Sequence, residues 1–131
     1  MNKILVEVSI GELFDKISIL EIKKLKIKDP NKLTNIAKEL EALNSALKQH
    51  NLNKPITNLN NLVNKLKEIN LDLWDIEDKK RKCEKNKDFG DNFIKLSRDV
   101  HFKNDERARI KNEINVQTGS LIKEVKEYSN Y

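Results

Sequence analysis

The sequence predicts an all-α protein, either a four-helix bundle or a pair of long helical hairpins, and three observations support this fold class. Only three Gly and two Pro occur among 131 residues, a composition typical of long helices. Apolar residues recur every three or four positions along four separate segments. Although 36% of the residues are charged, this periodicity argues against disorder. The length suits one helical domain over residues 1–131.

A short extended segment is predicted at residues 3–8, before the first helix. Ile4, Val6 and Val8 lie at alternate positions, which is the period of a strand with two different faces. The tail over residues 121–128 is predicted to be either extended or a frayed helical turn. If it is extended, it could pair with this strand, and the two ends of the chain would then lie together.

The first helix is predicted at about residues 10–28. Ser9 stands three positions before Glu12, which is the spacing of a capping box at a helix N-terminus. Asp29 and Pro30 end the helix, because the residue before a proline disfavours helix and proline suits the first turn of a new one.

The second helix is predicted at about residues 31–50 and is followed by the clearest break in the chain. Its apolar stripe consists of Leu33, Ile36, Ala37, Leu40, Leu43, Ala46 and Leu47. The residues from Asn51 to Ile56 include Pro55 and a second Asn, so they are predicted to form a loop.

The third helix is predicted at about residues 58–86, with Thr57 or Asn58 as its N-cap. Its spacing of apolar residues is typical of coiled-coil-like packing. The apolar seam consists of Leu59, Leu62, Leu66, Ile69, Leu73, Ile76 and Cys83. Long helices with strong seams often dimerise, so a homodimer is predicted.

The fourth helix is predicted at about residues 91–117, and its apolar seam has a polar interruption. Both ends of the seam are apolar, but its middle positions are Lys103 and Arg107. Gly119 is placed for a left-handed cap, and a tail over residues 118–131 follows.

Two other predicted helices also carry charge on their inner faces. Glu21 lies inside the apolar arc of the first helix, and acidic residues follow Trp74 beside the seam of the third. Polar groups in a core must be paired, solvated or functional. The candidate ligand-binding residues are therefore Glu21, Trp74, Glu77, Asn104, Asp105 and Arg107.

These polar residues on the inner faces of the helices form a predicted polar layer, and two interpretations of it stay open. Carboxylates beside Arg and Asn could bind a small polar ligand or perform acid–base chemistry. Alternatively, a salt-bridged layer fixes helix register or dimer pairing. No metal site and no cofactor are predicted, because the chain has two distant His, one Cys and no glycine-rich phosphate loop.

Charge and cysteine content limit the partners and the location. The net charge is +5, but all except four basic residues are Lys, whereas phosphate and base recognition favours Arg. Nucleic-acid binding is therefore the least favoured function. One cysteine and no long apolar stretch predict a cytoplasmic protein that does not span a membrane.

Four ordered motifs resemble a family of short bacterial helical proteins that is described only as a domain of unknown function. The motifs are residues 9–23 (SIGELFDKISILEIK), 73–78 (LWDIED), 88–90 (DFG) with Phe93-Ile94, and 104–108 (NDERA) with Lys111 and Ile114-Asn115. The resemblance covers nearly the whole chain and implies an autonomous small domain. It implies no activity and no cofactor.

The favoured function is an interaction or assembly module that acts as a homo-oligomer or binds a protein partner, since the seams are strong and no catalytic motif is present. The alternative is a small ligand-binding protein or enzyme that uses the interior polar cluster. Weak nucleic-acid binding is the third hypothesis.

Overall fold

A computed structural model describes residues 2–54, 58–122 and 124–130 of the protein. These described residues form four helices: α1 (Ile10–Lys26), α2 (Pro30–Gln49), α3 (Leu59–Lys85) and α4 (Asp91–Thr118). The predicted all-α fold class is confirmed. Thr57, one of the two predicted caps of the third helix, and Pro55 and Ile56 of the predicted loop lie outside the described residues.

The predicted N-terminal strand is not formed. Residues 2–8 belong to neither a helix nor a strand, and each of them is exposed. The described part of the tail beyond residue 120 forms no strand either. A strand needs the backbone hydrogen bonds of a neighbour, and no other described segment supplies them.

The central element is α1, which contacts each of the other three helices. It can do so because two of its faces are buried. One face is apolar and includes Leu13, Ile17 and Leu20. The opposite face, roughly 180° around the helix, carries small, polar and apolar residues: Gly11, Asp15, Ser18 and Ile22.

The apolar face of α1 packs into the main hydrophobic core. Leu13, Phe14 and Ile17 lie in one cluster with residues from the other three helices. These are Leu47 of α2, Leu59, Leu62, Leu66 and Ile69 of α3, and Ile110 and Ile114 of α4. Burying such side chains stabilises the fold by about 1.5–3 kcal/mol each. The second face of α1 is therefore left for contacts of a different kind.

A short turn after α3 returns the chain so that α4 runs beside it. Lys87 takes a left-handed conformation with φ of 56°, and the amide of Asp88 donates to the carbonyl of Cys83 over 2.9 Å. Further along the pair, Lys103 Nζ lies 3.0 Å from Asp72 Oδ2. Lys103, the first polar position of the α4 seam, therefore lies at the edge of the α3–α4 pair.

Candidate functional site

The second polar position of the α4 seam, Arg107, reaches a buried carboxylate on α1. Its Nε donates to Asp15 Oδ1 over 3.0 Å, and its Nη2 donates to Asp15 Oδ2. Only 1% of the Asp15 side chain is exposed, against 27% for Arg107. The two-point contact matches a planar guanidinium to a planar carboxylate and fixes the orientation of both groups.

A third helix completes the surroundings of Asp15. Asn70 of α3 donates from Nδ2 to Asp15 Oδ1 over 2.9 Å and to Ser18 Oγ over 3.2 Å. Asn70 is itself buried. A buried carboxylate is tolerated only when it is paired and hydrogen-bonded, and Asp15 receives these contacts from α3 and α4 together.

Lys111, one helical turn beyond Arg107, is a second buried cation beside α1. Its Nζ lies 2.7 Å from Glu12 Oε2, 2.9 Å from Glu124 Oε2 and 3.7 Å from Asp15 Oδ2. Only 7% of its side chain is exposed. The three carboxylates come from α1 and from the segment after α4, so Lys111 joins the tail to the helix bundle.

These carboxylates keep both cations charged. Burial by itself would lower the pKa of Arg107, but the hydrogen bonds and the charge of Asp15 outweigh it and raise that pKa. Burial is likewise outweighed at Lys111, where the hydrogen bonds that it donates to Glu12 and Glu124 raise its pKa. The hydrogen bond from Lys111 in turn lowers the pKa of Glu124.

The N-terminus of α1 is capped mainly by the C-terminal part of α4. Asn115 Oδ1 accepts from the amide of Gly11 over 2.6 Å, and Ser120 Oγ accepts from the amide of Ile10 over 3.1 Å. Ser9 Oγ accepts from the amide of Glu12 over 3.0 Å, as its predicted capping role requires. Three of the amides that a helix start leaves without partners are thereby bonded.

The side-chain amide nitrogen of Asn115 differs from its oxygen in its hydrogen bonding. Its side chain is fully buried, and its Nδ2 makes no hydrogen bond within the part of the chain that the structure describes. Such a group is commonly bonded to an ordered water.

A cleft opens beside the Asp15–Arg107 pair, and it brings together four of the six predicted site residues. Its volume is about 280 Å³. Its polar lining consists of Asn70, Glu77, Asn104 and Arg107, and its apolar lining of Ile19, Ile22, Leu73, Trp74 and Val100. We call this feature the Trp74 cleft. Arg107 Nη1 donates to Asn104 Oδ1 over 3.5 Å at its polar side.

The structure does not bring the other two predicted residues into this cleft. Glu21 pairs with Lys67 over 3.1 Å, and Asp105 lines a second groove instead. Glu77 lines the Trp74 cleft but is also bound to Arg81 by an exposed contact of 3.1 Å.

The second groove is wider and lies between α4 and the tail. Its volume is about 910 Å³, and besides Asp105 its lining includes Arg109, Glu113, Lys126 and Tyr128. The mixed charges of this lining indicate no particular ligand.

Polar residues that interrupt a single apolar seam do not include the buried polar residues of α1 and of the C-terminal half of α4. A spacing signal for them exists in the sequence. Gly11, Asp15 and Ser18 recur at four and three positions, and Arg107, Lys111 and Asn115 recur at four. Both series follow one side of a helix, so two polar stripes facing each other could have been inferred.

Among the described residues, the His, Cys, Asp and Glu side chains form no group of three or more that could hold a metal ion. The helices of the described chain include none with the length and apolar character needed to cross a membrane.

The chain was compared with known proteins. Neither a search of curated proteins nor a search of solved structures finds a match. The model of a family of unknown function, DUF6165, matches residues 4–131, and the chain therefore belongs to this family, as the resemblance of its motifs predicted.

Proposed function

We propose that the protein binds a small carboxylic acid with an apolar or planar body in the Trp74 cleft. The observation that carries this proposal is the combination of an aromatic wall with a guanidinium that is already fixed in position. Trp74 supplies the wall, and Arg107 supplies the guanidinium.

The dimensions of the cleft favour a compact ligand. At about 280 Å³ it lies just below the range of roughly 300–1,000 Å³ that is usual for ligand pockets. Ile19, Leu73 and Val100 form apolar walls beside Trp74. A lining that is mostly apolar, with a few polar groups at one side, is typical of small-molecule sites.

The polar side of the cleft suits acceptor oxygens. The contacts to Asp15 and Asn104 use three N–H donors of Arg107, and a guanidinium has five. The remaining donors are available to a ligand carboxylate, for which the planar guanidinium is well matched. Because Asp15 holds Arg107 in place, little side-chain entropy is lost on binding.

The charges of Arg107 and Lys111 favour ligand binding over proton transfer as the function of the site. The pKa values of Arg107 and Lys111 are both raised, so neither side chain gives up its proton near neutral pH. A general acid or base needs a pKa close to the working pH.

The only tryptophan of the chain is Trp74, so its fluorescence reports on this cleft alone. The test is a titration of the protein with small aromatic and aliphatic carboxylic acids, each compared with the matching amide. Calorimetry then gives the affinity. We expect saturable quenching by acids and at least about tenfold weaker binding of the amides, because one charge-assisted hydrogen bond contributes about 1.5–3 kcal/mol.

Asn104→Ala should weaken this binding, whereas Asn64→Ala, on an exposed part of α3, should leave it unchanged. Asn104 is chosen because a change at Arg107 would also disturb Asp15. Equal affinity of both variants for the acid, or no saturable binding by any acid, would contradict the proposal.

Self-association is a second candidate function, and a separate observation favours it. The two terminal segments hold eight of the thirteen large apolar side chains that are exposed in the described chain. Large apolar groups clustered on a monomer surface usually mark an interaction site. Sedimentation velocity over a range of concentrations tests this candidate, and a monomer at every concentration would contradict it.

A further inference from the structure

The N-terminal segment, residues 2–8, exposes a run of large apolar side chains shortly before α1. Ile4 is 85% exposed, Leu5 82% and Val6 73%. These are β-branched or large apolar residues of the kind found in strands. Three consecutive side chains of this kind are unfavourable in water, and covering them would be favourable.

The base of this segment is held firmly. Ser9 is buried and caps α1, and the neighbouring amide of Ile10 is bonded to Ser120. The segment therefore projects from a fixed point on the bundle. A partner strand would meet it in a defined position.

We propose that this partner is the same segment of a second copy of the chain, paired antiparallel around a two-fold axis at Leu5. In this register Leu5 faces Leu5, Ile4 faces Val6 and Lys3 faces Glu7. The two-fold symmetry repeats each of the unlike pairs, as in the isologous interfaces of most dimers.

Charge complementarity selects this arrangement. Opposite charges directly across an antiparallel pair stabilise it, and like charges destabilise it. The two-fold register forms two pairs between Lys3 and Glu7. An in-register parallel pair would instead place Lys3 against Lys3 and Glu7 against Glu7.

The proposal rests on self-association as a function and is independent of the Trp74 cleft. Backbone pairing would bond N–H and C=O groups of the segment, which an unpaired strand leaves open to other chains. Two strands alone are only marginally stable in water. We therefore expect a weak dimer that dissociates on dilution.

Charge reversal tests the register in the full-length chain. Lys3→Glu and Glu7→Lys each create two like-charge pairs per dimer, and the double variant restores two opposite-charge pairs. From the size of cross-strand charge interactions, each single variant should raise the dissociation constant about 3- to 30-fold. The double variant should return it to the wild-type value. Both positions are exposed and outside the helices, so folding should not change.

Cross-linking gives an independent measure of the two-fold position. Leu5→Cys should form a disulfide-linked dimer under mild oxidation, because directly opposed Cβ atoms lie about 4.5–5.5 Å apart. Val8→Cys is the matched control and should link poorly, since it is far from its own copy in this register. The wild type retains buried Cys83 and should not link.

The outcomes separate the surface from the function. If neither single charge reversal changes the dissociation constant, or if the double variant does not restore it, the proposed strand pair is wrong but self-association is still supported. A monomer at all concentrations overturns both. Weakening by each single reversal with recovery in the double variant supports the two-fold strand pair.

Discussion

Asp15 is the residue on which three helices converge. It sits on α1, receives Arg107 from α4 and Asn70 from α3, and lies 3.7 Å from the ammonium of Lys111. A charged carboxylate that is only 1% exposed would be strongly unfavourable without such partners. Asp15 therefore connects the stability of the bundle with the position of Arg107 at the cleft.

Replacing Asp15 by Asn should destabilise the protein by about 3 kcal/mol, because it removes one partner of a buried ion pair. The lower end of the usual range applies, since 27% of the Arg107 side chain is exposed. Denaturant unfolding measures the change.

Asp75→Asn is the control for this substitution. Asp75 makes an exposed contact of 3.9 Å with Lys26, and its loss should cost no more than about 1 kcal/mol. If both substitutions cost the same, the charge of Asp15 is not needed for stability.

Part of the site could be predicted at the level of residues. Arg107 stood out because it interrupts an apolar seam, and Asn104 and Trp74 because they lie beside one. Asp15 did not stand out, because a residue opposite an apolar face is normally exposed. Its burial depends on α4 covering the second face of α1, which is a property of the tertiary fold.

At the level of elements, α1 and α4 approach each other closely at Gly11. A Cβ atom at this position would overlap the carbonyl oxygen of Lys111 and would lie 2.9 Å from Asn115 Oδ1. The absence of a side chain allows the backbones to touch. This contact sets the distance over which the side chains of Arg107 and Lys111 reach α1.

Gly11→Ala should therefore destabilise the protein by about 1–3 kcal/mol, as expected for overpacking against backbone that cannot move away. Unfolding in denaturant measures the loss. Gly90→Ala is the control, because a Cβ atom there meets only Asp88 Oδ1 at 3.5 Å, and it should cost less. A Gly11→Ala variant as stable as the Gly90→Ala variant would contradict the close approach.

The helices were predictable because their ends are marked locally. Ser9, Asp29 and Gly119 each act at a helix end, the last with a left-handed φ of 68°. The side-chain contact of Glu12, in contrast, could not be predicted from neighbouring residues alone. In the predicted capping box it would bond back to Ser9, but the structure uses it for Lys111, 99 positions away.

At the level of the whole molecule, the start of α1 and the end of α4 are held together. Ser120 bonds to Ile10, and Glu124 of the tail bonds to Lys111. The predicted strand pairing of residues 3–8 with residues 121–128 is wrong, since the described residues of both segments form no strand. Side chains and a helix cap join the start of α1 to the residues after α4 instead.

The contact of the tail should depend on pH. The pKa of Glu124 is lowered by Lys111, so its contribution to stability is present above its unfolded pKa of about 4.3. It is lost as the pH falls through the lower folded value. The stability difference between wild type and Glu124→Gln should therefore be full at pH 7 and vanish in acid.

Unfolding curves of both proteins across this pH range measure the difference. In a Lys111→Met background the pH-dependent effect of Glu124→Gln should be much smaller, because the hydrogen bond that most lowers the pKa of Glu124 is gone. Lys126 remains 3.8 Å from Glu124 and accounts for a small residual effect. A difference that persists undiminished in that background would assign the effect to a group other than Lys111.

The capping of α1 by the end of α4 has a consequence for how the chain acquires its structure. The amides of Ile10 and Gly11 bond to residues 110 and 104 positions later, and a ribosome releases the N-terminal part first. Until α4 and the residues after it have been made, α1 lacks two of the three side-chain hydrogen bonds that cap it and the counter-ion of Asp15. Closing so long a loop is entropically costly and slows folding. Helix α1 is thus synthesised before α4, which supplies several of its contacts.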